Sequence, residues 1–261
     1  MSDLVINKLP GRTFEWLGVN EAVVSGVEAG EALRYKTELS EKIESVQNGE
    51  TQSYRIPDNQ KIEKPVYFWL AYDHSARNRI EISAGRGSEV TIIMDYSALH
   101  QEQEKELQGL LSTTIVVEEH AKVKFIEIRK AHAGVRFVDQ LQVECLEGAD
   151  FEITQLFLGE GTFYQDLHCD LKGYGSGFRA DTAYLIEKQG KLDINYVATH
   201  YGKKSVSDIK VNGVLREQAE AEATAERLKN CMVRLTARSG GNGKLFGSIT
   251  TQEVSDALKE Q

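Results

Sequence analysis

Proline is scarce in this chain, three residues in 261, while glycine occurs twenty-two times. Turns must then be built from Gly, Asn and Asp, and the many Val, Ile, Tyr and Phe residues favour a β-rich body between them. Cysteine is equally scarce. Cys145, Cys169 and Cys231 are odd in number and show no CxxC spacing, which excludes a disulfide framework and a closed four-thiolate metal site, so reduced thiols are expected. Long hydrophobic runs are missing too: the longest, Val66 to Tyr72, is far short of a bilayer span. The opening MSDLVINKLP lacks a basic region followed by an apolar stretch, so a soluble, cytoplasmic protein without a membrane partner is expected. Positive charge is the minority. A net charge of -9 does not suit a surface that must neutralise phosphates, and nucleic acid is not an expected partner. Residues 1–215 hold 24 basic and 33 acidic side chains and residues 216–261 hold seven of each, so the acidic excess belongs to the first part. What is present, 41% hydrophobic residues, is ordinary for a protein with a real core.

Periodicity divides the chain in three. Residues 1–51 show no clean strand alternation, and Leu33, Lys36, Leu39, Ile43 and Val46 recur at intervals of three and four, predicting a small N-terminal cap with one modest helix. From about residue 52 the pattern changes to short β-branched and aromatic segments such as Tyr54–Ile56, Val66–Tyr72, Ile80–Ile82 and Val90–Met94. His100–Leu111 is polar and Glu/Gln-rich, and reads as a surface helix or a loop excursion between strands. Between Thr113 and Leu215 strands recur roughly every 13 to 16 residues with Gly-containing corners, which leaves no room for βαβ crossovers. A β-sandwich would show tighter two-residue turns, so a β-helix or solenoid over 52–215 is the preferred architecture. At Arg216 the character changes again. Glu217–Lys229 consists almost entirely of strong helix formers, and the remainder reads as a strand–loop–strand–helix unit, giving a short α/β appendage over 216–261.

Two stretches of the β-rich part carry a family resemblance. Arg179–Leu185 (RADTAYL) and Thr199–Leu215 (THYGKKSVSDIKVNGVL) resemble core motifs of the SufB/SufD family, the matching positions in the second being His200, Ser205, Ser207, Asp208, Lys210, Gly213, Val214 and Leu215. Arg12–Asn20 (RTFEWLGVN) looks like the N-terminal segment of SufD-type members. The resemblance implies a right-handed β-helix and a non-catalytic scaffold that helps build or transfer iron–sulfur clusters. Its implied partners are a SufC-type ATPase and a SufB/SufD-type paralogue or a second copy, and its implied cargo is a transient iron–sulfur cluster. The part of the family that follows the Gly-Val-Leu strand, where the cluster ligands and the ATPase dock lie, has no counterpart after Leu215, so none of those residues is carried over.

Ala225–Leu258, with the motif Gly243-Lys-Leu-Phe-Gly-Ser-Ile-Thr250, resembles instead the C-terminal domain of the ninth protein of the large ribosomal subunit. That implies a fused or misassembled reading frame with its seam near residues 215–222, and as the alternative a structural, ribosome-associated fragment or a non-functional fusion carrying a ribosomal-protein-like tail.

Candidate chemistry is sparse. His168 and Cys169 are adjacent on a strand and must point to opposite faces. Coil spacing brings the Cys169 and His200 segments onto neighbouring or next-but-one rungs, where the two could form a partial iron or zinc site; the plainer reading makes Cys169 a buried apolar residue and His200 a hydrogen-bonded corner residue. His200, Ser205, Ser207 and Asp208 are the residue types of a hydrolase triad, but no Gly-x-Ser-x-Gly elbow accompanies them. Gly240–Lys244 misses both the Walker and the dinucleotide spacing. Trp16, Tyr67, Phe68, Trp69 and Tyr72 lack basic interleaving and read as core and corner packing rather than a base-stacking platform.

Overall fold

A computed structural model describes residues 2–7, 22–27, 32, 35–98 and 107–221. Within them the chain is all strand: β1 (Ser2–Ile6), β2 (Ala22–Val27), β3 (Lys36–Glu38), β4 (Glu44–Asn48), β5 (Thr51–Ile56), β6 (Val66–Tyr72), β7 (Ala76–Ala84), β8 (Glu89–Ala98), β9 (Leu107–Val117), β10 (Lys122–Ala131), β11 (Val135–Cys145), β12 (Asp150–Gly159), β13 (Thr162–Leu171), β14 (Gly177–Ile186), β15 (Lys191–His200), β16 (Val206–Leu215) and β17 (Glu220–Ala221). Even-numbered strands from β6 to β16 stack as one parallel sheet and odd-numbered strands from β5 to β17 as the other. Each turn of the chain contributes one strand to each sheet, giving a parallel β-solenoid of about six turns. Lys122 faces Asp150, Asp150 faces Gly177 and Gly177 faces Val206, steps of 28, 27 and 29 residues. The strand spacing of 13 to 16 residues was therefore half of a coil. The coil containing residues 99–106 is longer, since Glu89 faces Lys122 at a step of 33.

Strict alternation builds the interior. Along β10, Val123, Phe125, Glu127, Arg129 and Ala131 point inward while Lys122, Lys124 and Lys130 are exposed. Phe151 stacks on Phe178 one rung away at 6.0 Å and 15°, and Phe157 meets Phe163 of the facing sheet edge-on at 5.6 Å. Each such ring contributes about 1.5–3 kcal/mol by leaving water. Corners hold the rungs in register. A β-carbon on Gly202 would collide with the carbonyl oxygen of Gly173 in the corner above, so the two corners meet backbone to backbone.

The N-terminal region departs from expectation. No helix forms over its described residues: β3 pairs antiparallel with β6 and β4 antiparallel with β5. Leu39 and Ile43, whose spacing suggested a helix, do pack against the core, but from the connection between two edge strands. The deciding signal is Asn48-Gly49, where Gly49 takes φ +62° in the two-residue turn between β4 and β5. Of the Glu/Gln-rich segment, Leu107–Leu111 belongs to β9. The predicted helix from Glu217 is corrected at its start: Glu217 and Gln218 make a turn, Glu217 at φ +60°, and Glu220–Ala221 pair parallel with β15. The open hydrogen-bonding edge of β15 outweighs helix propensity there. Residues 222–229, the rest of the α/β appendage, Trp16 and the Gly240–Lys244 loop lie outside the described residues.

Candidate functional site

Polar side chains occupy inward positions at the middle of the stack. On the even-numbered sheet Met94, Glu127, Gln155 and Thr182 stand in one row across β8, β10, β12 and β14, with Tyr96, Arg129 and Phe157 in the next. On the facing sheet Asp139 and Gln165 stand side by side on β11 and β13. Glu127, Arg129, Asp139, Gln155 and Gln165 are each at most 2% exposed.

These groups form one network. Arg129 Nη2 donates to Glu127 Oε2 at 3.0 Å and to Asp139 Oδ2 of the facing sheet. Tyr96 OH donates to Glu127 Oε1 at 3.1 Å, and Gln155 Nε2 donates to Glu127 Oε2 and, at 3.1 Å, to Gln165 Oε1. Gln155 Oε1 accepts from Tyr196 OH and from Thr182 Oγ1, which lie 2.9 Å from each other. The guanidinium carbon of Arg129 lies 5.0 Å from the ring centres of both Tyr96 and Phe157. The polar chain thus runs along the solenoid axis from β8 to β15.

Burial sets the electrostatics. It pushes the Tyr72, Tyr96 and Tyr196 hydroxyls above their ordinary range. Burial works against the Arg129 charge, but Asp139 and Glu127 more than offset it and hold the guanidinium charged. Burial also raises Asp139 from 3.8 to about 7 despite Arg129 beside it.

The positions singled out from the sequence lie elsewhere. Cys169 is fully buried opposite Val143 and Ala198, and its thiol is pushed up by a hydrogen bond with Cys145 and by burial. Cys145 faces Leu171, so the two cysteines are diagonal on adjacent strands, with α-carbons about 8 Å apart, beyond the reach of a disulfide. His200 faces Leu171, one inward row beyond Cys169. Its ring lies between two serines, Nδ1 2.8 Å from Ser205 Oγ and Nε2 3.0 Å from Ser207 Oγ, while Ser205 Oγ donates to Gly202 O at 2.8 Å. Burial lowers the His200 pKa. Asp208 turns away to Lys210 Nζ at 3.1 Å. His200 is thus hydrogen-bonded at the end of its strand, and Cys169 is buried beside Cys145. Among the described residues no three His, Cys, Asp or Glu side chains converge as a metal site.

His168 points outward as its strand parity requires, with Nε2 3.0 Å from Asp166 Oδ1. Asp166 also accepts from Asn195 Nδ2 at 2.9 Å. Burial opposes the Asp166 charge, but His168 and Asn195 hold its carboxyl below the usual range, and the Asp166 hydrogen bond raises His168 in return. The antiparallel β1–β2 pair lies beside this cluster, packing Ile6 and Val24 on Leu110 and Val138, with Asn7 Nδ2 donating to Asp193. Of the aromatic group, Phe68 and Tyr72 are core residues, whereas Tyr67 and Trp69 stack on the outside at 5.1 Å and 11°.

The interior network is what sequence reasoning missed. Its signal was legible: in VKFIEIR (Val123–Arg129) and FVDQL (Phe137–Leu141), Glu127, Arg129 and Asp139 share the parity of Val123, Phe125, Phe137 and Leu141.

Comparison with known proteins finds two family models, one over the solenoid and one over the C-terminal region. Residues 219–261 match a second model, the ribosomal protein L9 C-terminal domain. Curated relatives are named large ribosomal subunit protein bL9: one from Acetivibrio thermocellus is 56% identical over 89 residues, covering 34% of this chain and 55% of that protein. Those from Listeria monocytogenes serotype 4a and Helicobacter pylori are each 33% identical, over 88 and 94 residues, covering 34% and 36% of this chain and 55% and 58% of theirs. The chain spans about half the length of these curated relatives, and they match its C-terminal region. Residues 68–225, well over half of the chain and the solenoid from within β6 onward, match the model described as SUF system FeS cluster assembly, SufBD core domain. The chain with this polar-cored solenoid therefore belongs to the SufBD family of iron–sulfur cluster assembly proteins.

Proposed function

We propose that the protein is a non-catalytic scaffold subunit of iron–sulfur cluster assembly, working in the cytoplasm with a SufC-type ATPase and a paralogous SufB/SufD-type subunit or a second copy of itself. The observation that supports this most is the SufBD core match, which covers most of the solenoid. A stack of rigid rungs offers long surfaces to partners. Among the described residues, His200 lies between Ser205 and Ser207 while Asp208 pairs with Lys210 instead of the histidine. No helix among the described residues is long and apolar enough to cross a membrane. Mixing the purified full chain with a SufC-type ATPase and a SufB/SufD-type paralogue, then measuring mass by light scattering after gel filtration, should give a stable complex. Elution of the chain alone at every ratio would reject the scaffold reading.

A second reading rests on residues 219–261, whose similarity to the L9 C-terminal domain supports ribosome association. Co-sedimentation of the intact chain with ribosomes through a gradient tests it; absence from the ribosomal fractions removes it.

A further inference from the structure

Within the solenoid Arg129 faces two carboxylates, Glu127 on its own strand and Asp139 on the opposite sheet, and all three side chains are at most 3% exposed. If both carboxylates were ionised, the group would carry one uncompensated negative charge in an aromatic interior, where a lone charge costs several kcal/mol. The two acids are not equivalent. Three donors converge on Glu127, from Tyr96, Arg129 and Gln155, whereas Arg129 is the donor that reaches Asp139 Oδ2. Asp139 Oδ1 is buried outside the hydrogen-bond network, and although Arg129 and the neighbouring Gln165 side chain favour the charged carboxylate, burial outweighs them.

We propose that the interior of the solenoid is a proton-binding site, with Asp139 reversibly holding the proton that balances the Glu127–Arg129–Asp139 group. Among the described residues the titratable side chains that act on Asp139 are Tyr72 from β6, Tyr96 from β8, Glu127 and Arg129 from β10, and Tyr196 from β15. Burial pushes the three tyrosine hydroxyls up, so they stay neutral while the carboxyl titrates. The Asp139 carboxyl is raised by burial to about 7. A folded-state value above the unfolded one means that the folded chain holds the extra proton. Its stabilising effect is complete below the ordinary 3.8 and fades as pH rises to about 7. The reaction is a simple exchange, carboxylate plus solvent proton giving carboxylic acid, and needs no other reactant.

Asp139→Asn fixes the neutral form. In urea denaturation of the full chain, the stability of this variant relative to the natural protein should climb with pH between 4 and 8. The shift expected from 3.8 to about 7 is up to about a thousandfold in the folding equilibrium. A relative stability that does not change with pH overturns the proposal. Carboxyl carbon NMR of the natural protein decides the matter even if the variant fails to fold. An interior aspartate that stays protonated to near neutrality is the expected result, and the proposal falls if every aspartate titrates in the ordinary range.

Discussion

Arg129 occupies an inward position on β10 between Glu127 and Ala131, on the same face as Val123 and Phe125, where an apolar side chain would be the ordinary choice. Its role shows when one partner is removed. Arg129→Met leaves Glu127 and Asp139 facing each other with no cation, and should lower unfolding free energy by about 3–5 kcal/mol in urea titrations at neutral pH. A loss below about 1 kcal/mol would mean that the arginine is a spectator. The two histidines of β13 and β15 should titrate in opposite directions from the ordinary 6.5. His168 is raised by its hydrogen bond to Asp166, so its stabilising effect is present below 6.5 and is lost as pH rises through its higher value. His200 is lowered by burial, so its contribution is present above 6.5 and is lost as pH falls through its lower value. Proton NMR of the two imidazoles should place His168 above His200; the reverse order would contradict the packing described for both.

At the level of strands and corners, register depends on backbone contact as much as on side chains. Gly202→Ala should destabilise by about 1–3 kcal/mol, because the added carbon meets the Gly173 carbonyl and one of the two corners must move. An unchanged denaturation midpoint would show that these corners are looser than they look. The strands themselves were legible from alternation, and the coil from their spacing, since a solenoid repeats one local rule. What misled were segments where tertiary pairing overrides a weak local pattern. Leu39 and Ile43 have helical spacing yet serve edge strands, and the Glu217–Ala221 stretch has helical composition yet starts a rung. Cys169 and His200 drew attention as residue types, although their surroundings, Cys145 for one and Ser205 and Ser207 for the other, were not readable from sequence. Glu127, Arg129 and Asp139 were readable by parity, but their meeting across two sheets required the fold.

Among the described residues the main core is a continuous cluster from Tyr54 to Leu192, with Ile209, Leu215 and Ala219 packed at its margin, and a small second cluster joins the β1–β2 pair to Leu110 and Val138. Ending the chain after Ala221 should therefore leave the urea midpoint nearly unchanged, and a large cooperative loss would show that residues 222–261 are integral to the solenoid. The two ends of the stack differ in kind. At the first turn the sheets finish in short antiparallel strands: β3 has three residues, all exposed and two of them charged, and β4 has five exposed residues beginning with Glu44. Such strands discourage further pairing. At the other end β16 is a ten-residue strand that closes the even-numbered sheet, with Val214 half exposed. In the language of polymer chemistry the described strands have one terminator and one propagating edge, β3 and β4 being the former and β16 the latter. An edge pairing through β16 alone would couple two units and stop there, giving closed pairs and not fibres.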